Sequence, residues 1–306
     1  MRRLIIAALA AAAVTAATAP VGSAGQSTTA RGLGCDWTAG AGTFSTVAHL
    51  GRGAAARARD AILYSTSDAD DTAADKAKTG GGPVTIPVYF HVLIGAGNVG
   101  NLTNAEIAEQ ITVLNLAYSG FYGGVATPFR FRLDGIDRTV NPAWFAMEPE
   151  SAEELAAKTA LRRGGLGTLN IYTTNGANDA LLGWAYLPNE AKRVPVVDGT
   201  VIHWGSLPGG PIEGFNLGHT ATHEVGHWLG LYHPFDFGCN RNGDYVQDTP
   251  AEAEPSFGCP VGKDTCKDPG SDPIHNYMDY SDDPCYSEFT AGQTKRMEQR
   301  FRHYRA

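Results

Sequence analysis

Within eleven residues, His223-Glu224-Val225-Gly226-His227-Trp228-Leu229-Gly230-Leu231-Tyr232-His233, the chain carries three imidazoles and a carboxylate at spacings that suit a catalytic metal. On a helix, His223 and His227 lie four residues apart and project from one face, so both can hold one ion. Glu224, the next residue round the helix, is poorly placed to ligate that ion but well placed to take a proton from a water beside it. Gly230 lets the chain leave the helix through a left-handed turn that a Cβ would resist, and His233 then returns as a third ligand. A structural zinc normally has four protein ligands, whereas a catalytic one keeps a position open. Three neutral imidazoles leave the ion its full charge, which acidifies a water at the open position and polarises a carbonyl. The spacing therefore predicts a zinc hydrolase. A secreted zinc-binding protein without catalysis, or a hydrolase of a non-peptide amide, is the alternative at this point.

A second signal follows about forty-five residues later in Asn276-Tyr277-Met278-Asp279-Tyr280. Met278 suits an apolar floor beneath the ligands, because an unbranched thioether fills irregular gaps. Tyr280 is expected to turn its hydroxyl toward the metal or the reacting carbonyl. A long zinc motif followed by a Met-turn is the pattern of the metzincin metallopeptidases. The stretch 223–233, then Gly238-Cys239, Asp248-Thr249-Pro250, Asn276 to Asp283, Phe289-Thr290, Gly292-Gln293 and Arg296-Met297 together resemble the pappalysin family of metzincins, over roughly residues 84–306.

That resemblance implies an endopeptidase acting on proteins or peptides, with Glu224 as general base and acid and Tyr280 stabilising the oxyanion. It implies a metzincin-like fold of the α/β (α+β) class: a twisted mixed sheet with packed helices and an active-site helix, then an irregular disulfide-linked subdomain ending in a helix. Four cysteines lie between the active-site helix and the last helix and allow three pairings; the resemblance favours Cys239–Cys266 and Cys259–Cys285. It also implies calcium near Asp244, Asp248 and Thr249, in a loop whose carbonyls could complete six to eight oxygen ligands. The fifth cysteine, Cys35, is a candidate cysteine switch, a thiolate that takes the open zinc position in a latent precursor. Some pappalysins prefer a basic residue after the scissile bond through an acid near the pocket behind the Met-turn. Here the residue before Cys285 is Pro284, with Asp282 and Asp283 close by, so the chain departs from that pattern.

The rest of the 306 residues must position and export this site. Arg2 and Arg3 precede an apolar run from Leu4 to Ala17, too short and Ala-rich for a membrane span, and Gly22 and Ala24 offer a small-residue cleavage site. Residues 1–24 are expected to be a signal peptide, 25–82 a pro-segment and linker, and 83–306 the catalytic domain. The formal charge is −8, and removing residues 1–24 takes away two arginines and no acid, leaving −10. That balance disfavours nucleic acid and anionic membranes as partners, and no stable membrane anchor is expected.

Within the pro-segment a short helix is expected over Ala54 to Tyr64 and a flexible linker at Thr79–Pro83. Alternation predicts a strand over Val84–Leu93. Thr103 and Glu106 form a capping box for a helix from Asn104 to Ser119. Phe129–Leu133 reads as a strand, Ser151 and Glu154 cap a helix ending near Gly164, and Leu169–Thr174, Leu181–Leu187 and Gly199–Trp204 read as strands. Alternating strands and helices argue a mixed, mostly parallel sheet, and the metzincin resemblance implies that the strand at Gly183–Tyr186 edges the cleft and pairs with an extended substrate. The active-site helix is expected to start near Leu217 with Asn216 as its cap. The last helix runs from Ala291, capped by Thr290 and Gln293, with Met297, Phe301 and Tyr304 as its apolar stripe.

Overall fold

Period-two burial organises the sheet. In β2 (Val84–Ile94) Ile86, Val88, Phe90 and Val92 are fully buried on one face, while Leu93 is buried on the other. The computed structural model describes residues 60–63, 72–240 and 243–306. The signal-peptide expectation, Cys35 and most of the pro-segment therefore lie outside the described residues.

Six strands, β1 (Asp60–Leu63), β2, β3 (Phe129–Val140), β4 (Leu169–Thr174), β5 (Gly183–Tyr186) and β6 (Thr200–His203), form one sheet in the order β1-β5-β6-β4-β2-β3. Every pairing is parallel except β5 with β6. All six residues of β4 are buried, as both faces of a helix-covered sheet require. On one face, Phe90, Ile171 and Ile202 pack with Ile107 and Leu114 of helix Asn104–Tyr118, Val225 and Trp228 of the active-site helix, and Met297 of the C-terminal helix. On the other, Leu93, Tyr172, Trp184 and Val201 pack with Ala157 of helix Ala152–Leu161. Each such side chain contributes roughly 1.5–3 kcal/mol when fully buried.

Local signals hold at several helix ends. Thr103 and Glu106 make the reciprocal capping box, as do Thr290 and Gln293 ahead of the C-terminal helix Ala291–Tyr304. Met297 and Phe301 of that helix are buried, and Tyr304 lies partly exposed beside them. Both disulfides pair as the family resemblance implies, Cys239–Cys266 and Cys259–Cys285, each with Cα atoms 5.5 Å apart. They cross-link a segment with almost no regular structure, where each is worth about 2–4 kcal/mol.

Three expectations are corrected. Residues 60–63 form a strand rather than part of a helix, because the exposed edge of β5 offers them a ladder. The active-site helix begins at His219, with Gly218 as its N-cap at φ 89°, two residues later than expected. Asn216 instead donates its side-chain amide to the Gly210 carbonyl. The Thr79–Pro83 stretch is not a free tether: the Gly80 and Gly81 amides donate to the Glu298 carboxylate of the C-terminal helix at 3.0 and 3.2 Å.

Candidate active site

The active-site helix, His219–Trp228, is buried along its whole length. It packs against β5 on one side and helix Asn104–Tyr118 on the other. Its far end is held by the C-terminal helix: Arg305 lies 3.7 Å over the Trp228 ring, donates to the Trp228 carbonyl and pairs with buried Asp198, which also accepts from Trp228 Nε1. The chain leaves the helix at Gly230, φ 103°, where a Cβ would also run into the Arg300 side chain. That turn carries His233 back beneath His223 and His227.

The three Nε2 atoms then converge, 3.0 Å apart for His223 and His227, 3.1 Å for His227 and His233, and 3.2 Å for His223 and His233. Each Nδ1 faces an oxygen that can only accept: the Tyr277 carbonyl at 2.6 Å for His223, the Leu231 carbonyl at 2.8 Å for His227 and the Asp236 carboxylate at 2.9 Å for His233. The Nδ1 atoms therefore carry the ring protons, and three Nε2 lone pairs point at one another. Such a cluster repels itself unless a cation lies between. Zinc takes imidazole nitrogen at about 2.0–2.1 Å, which tetrahedrally sets the nitrogens roughly 3.4 Å apart. The site fits zinc, and soft or hard alternatives lack their thiolates or carboxylates here.

The sequence reading missed Asp236. Its carboxylate is 1% exposed, accepts from both the ring and the backbone amide of His233, and fixes the ring's orientation and tautomer. The signal was available, since an acid three residues past a ligand is a candidate for this role. Asp236→Asn is expected to weaken zinc binding about 10–100-fold. Competition with a zinc chelator measures this, and an unchanged affinity would show that the carboxylate does not support the ligand.

Met278 is fully buried directly below the helix, with its sulfur and methyl against Gly226 where a larger residue would collide. The turn around it is fixed by Asn276, which accepts from the Met278 amide and exchanges two side-chain hydrogen bonds with Gln293. Tyr280 packs edge-on against the His233 ring, centroids 4.9 Å apart, and lines the same cleft as Glu224. Glu224 itself is 1% exposed. It lies against β5: a Cβ on Gly183 would come within 2.5 Å of its Oε1. Gly183 is thus required by the close approach of β5 to the carboxylate, and no local pattern of residues signals it.

Two further residues shape the cleft, Asp283 from its wall and Glu154 from behind β5. Asp283, 2% exposed, accepts from the Leu217 amide at 2.8 Å and the His219 amide at 3.4 Å, supplying the cap that Gly218 cannot. Glu154 stands behind β5, where it accepts from Trp184 Nε1 at 2.7 Å and from the Tyr186 hydroxyl at 2.8 Å. Of the residues expected to hold calcium, Asp244 and Thr249 come together and are buried. Asp248 does not join them: its exposed carboxylate accepts from the Thr290 hydroxyl and the Gly292 amide at the start of the C-terminal helix.

The comparisons agree with this geometry. The family described as pregnancy-associated plasma protein-A matches residues 169–302. The chain is 48% identical over 227 residues to an extracellular metalloprotease of Pyricularia oryzae, covering 73% of this chain and 77% of that one. It is also 48% identical over 229 residues to an extracellular metalloprotease of Sordaria macrospora, covering 73% and 76%. Among solved structures it resembles a promirolysin variant of Tannerella forsythia, with TM-score 0.64, 29% identity and coverage of 74% and 83%. It resembles mature mirolysin of the same organism in complex with a cleaved peptide, with TM-score 0.62, 30% identity and coverage of 74% and 97%. No helix among the described residues is long and apolar enough to cross a membrane. With an imidazole triad built for zinc, a methionine floor beneath it and relatives of this closeness along three quarters of its length, the chain belongs to the pappalysin family of metzincins and is a secreted zinc endopeptidase.

Proposed function

We propose that His223, His227 and His233 hold the zinc, and that Glu224 moves the proton in peptide-bond hydrolysis. When bound, the ion lowers the pKa of a water toward 7 and polarises the scissile carbonyl. Glu224 accepts the proton that the attacking water loses and returns it to the leaving amine, so that the amine departs neutral. The Tyr280 hydroxyl stabilises charge that develops on the carbonyl oxygen, and Met278 keeps the ligand platform rigid. The observation that carries this reading is the triad of mutually facing Nε2 atoms in the same cleft as a buried glutamate. Incubating the processed protein with a denatured protein substrate, with and without a zinc chelator, tests it. Cleavage that the chelator does not affect would remove the metal mechanism.

The enzyme is made as a latent precursor. β1 pairs along the outer edge of β5, from Asp60 opposite Gly183 to Leu63 opposite Tyr186. An extended substrate needs that same edge for its backbone hydrogen bonds, so this pairing supports latency, with Cys35 as the proposed thiolate on the metal. A precursor that hydrolyses peptides as fast as the processed form would count against it.

Asp244 and Thr249 are proposed to take part in a calcium site. Asp244 Oδ1 accepts from the Val246 amide at 2.9 Å, whereas its Oδ2 and the Thr249 hydroxyl, buried side by side, make no hydrogen bond of standard geometry. Burial pushes the Asp244 carboxyl up to about 7. A hard cation offsets that cost, with loop carbonyls completing the shell. Removing calcium from the zinc-loaded protein is expected to lower its melting temperature by several degrees, and Asp244→Asn to abolish the calcium dependence. A melt indifferent to calcium would retire the site.

A further inference from the structure

The two disulfides differ in what surrounds them. In Cys259–Cys285, Cys259 is exposed, whereas Cys285 is buried at the end of the short turn Asp283–Cys285. The His275 ring lies against the buried sulfur: its Nδ1 is 3.5 Å from Cys285 Sγ and 2.6 Å from the Cys285 carbonyl oxygen. A carbonyl can only accept, so Nδ1 carries the ring proton, and that proton lies beside the sulfur. The two sulfurs and a His275 ring nitrogen all lie within 4.8 Å of one another. Among the described residues, no histidine nitrogen or carboxylate oxygen lies that close to both sulfurs of Cys239–Cys266. Cys239 is also exposed, but it faces the Thr265 carbonyl oxygen at 3.8 Å, which has no proton to offer.

A disulfide exchanges when a thiolate attacks one sulfur and the other departs, and the rate rises with access to the first and stability of the second as a thiolate. Cys259–Cys285 has both. An incoming thiolate bonds to Cys259 Sγ, the S–S bond breaks, and Cys285 leaves with the electron pair. The new thiolate accepts a hydrogen bond from His275 Nδ1–H, a contact that stabilises the anion. It then takes from water the proton that the incoming thiol gave up. The reverse attack, by the Cys285 thiolate on the mixed disulfide, expels the small thiol and restores the bond.

The same bond fastens the cleft wall. The Asp282 amide donates to the Gly258 carbonyl at 2.9 Å, and the Gly258 amide to the Asp282 carboxylate at 3.3 Å. With the cross-link, these hold the turn to residues 258–259. That turn carries Asp283, whose carboxylate caps the active-site helix through the Leu217 and His219 amides.

We propose that Cys259 is a modification site, where a small soluble thiol exchanges into Cys259–Cys285 with Cys285 as leaving group and His275 beside it, and that the opened bond loosens the Asp283 cap and lowers peptidase activity reversibly. The last clause rests on the zinc-endopeptidase reading; the thiol exchange does not. To test it, processed, zinc-loaded enzyme is incubated with reduced glutathione, free thiols are alkylated at intervals, and peptide mapping by mass spectrometry locates each adduct. Glutathione on Cys259 with alkylated Cys285 is expected to appear about tenfold faster than any opening of Cys239–Cys266. His275→Ala, at an exposed position, is expected to slow that reaction about tenfold. A ring that only braced the turn would speed it when removed. The alkylated protein, freed of thiol and reloaded with zinc, is expected to lose activity about fivefold, the weight of one helix cap. Unalkylated protein reoxidised with glutathione disulfide is expected to regain it.

Earlier opening of Cys239–Cys266, glutathione on Cys285 instead of Cys259, or an unchanged or faster rate in His275→Ala would overturn the assignment. Thiolated, zinc-loaded enzyme of undiminished activity would overturn the link to Asp283. Enzyme that cleaves nothing before thiol is added would overturn the endopeptidase reading, while the adduct map still decides the modification site.

Discussion

Glu224→Gln is expected to lower kcat by at least 10²–10⁴-fold, with zinc content and melting temperature close to those of the unaltered protein. The amide fills the same space beside Gly183 but cannot accept a proton, so the acid–base contribution disappears. The three ligands and their oxygen partners are untouched, because none of the imidazole Nδ1 contacts involves residue 224. The loss is therefore expected in kcat and kcat/KM together, the mark of an interaction made only in the transition state. Steady-state kinetics on a chromogenic peptide beside a zinc assay measures this. Retention of more than a tenth of the activity would assign the proton transfer to another group, and loss of zinc would show that Glu224 supports the metal.

Much of this site is contiguous in sequence, which is why it could be read there. His223, Glu224, His227 and His233 lie within one helix and one turn: helical geometry brings the first three together, and the turn at Gly230 returns His233 to them. The capping boxes at Thr103 and Thr290 were legible for the same reason, since cap and partner are three residues apart. The residues that escaped act across distance. Asp283 caps a helix more than sixty residues upstream, and the shift of that helix start from 217 to 219 follows from it. Gly183 is needed only because a strand from one part of the chain passes the carboxylate of another. At residues 60–63 the local alanines favour a helix, but an open strand edge wins, as tertiary context commonly does over propensity. The disulfide pairing came from family resemblance, since spacing left three possibilities open.

Glu154 shows how such a distant residue acts on the site. It was legible as part of a helix cap, yet its carboxylate does not return to Ser151. It is 1% exposed and accepts four hydrogen bonds, from the Glu150 amide, Trp184 Nε1, the Tyr186 hydroxyl and Lys158 Nζ, at 2.7–2.8 Å. Lys158 is fully buried, also donates to the Val197 carbonyl, and lies 4.5 Å over the Tyr186 ring. Burial and the neighbouring carboxylate hold the Tyr186 hydroxyl well above its ordinary range, so it stays a donor. One carboxylate thus grips alternate residues of β5 from behind, while Gly183 at the head of the same strand borders Glu224 in front. Glu154→Ala strands the Lys158 charge in the core, and removing one partner of a buried pair costs about 3–5 kcal/mol. A fall in melting temperature of roughly 10 °C is expected for a domain of this size. Replacing both partners by methionine is expected to recover most of it, because an apolar pair needs no counter-ion. The edge strand loses its two polar anchors in either variant, so KM for extended peptides is expected to stay raised even in the stable double replacement. Thermal melts and kinetics on the same samples separate the two effects: recovery of both Tm and KM in the double variant would show that Glu154 stabilises the core without positioning the strand.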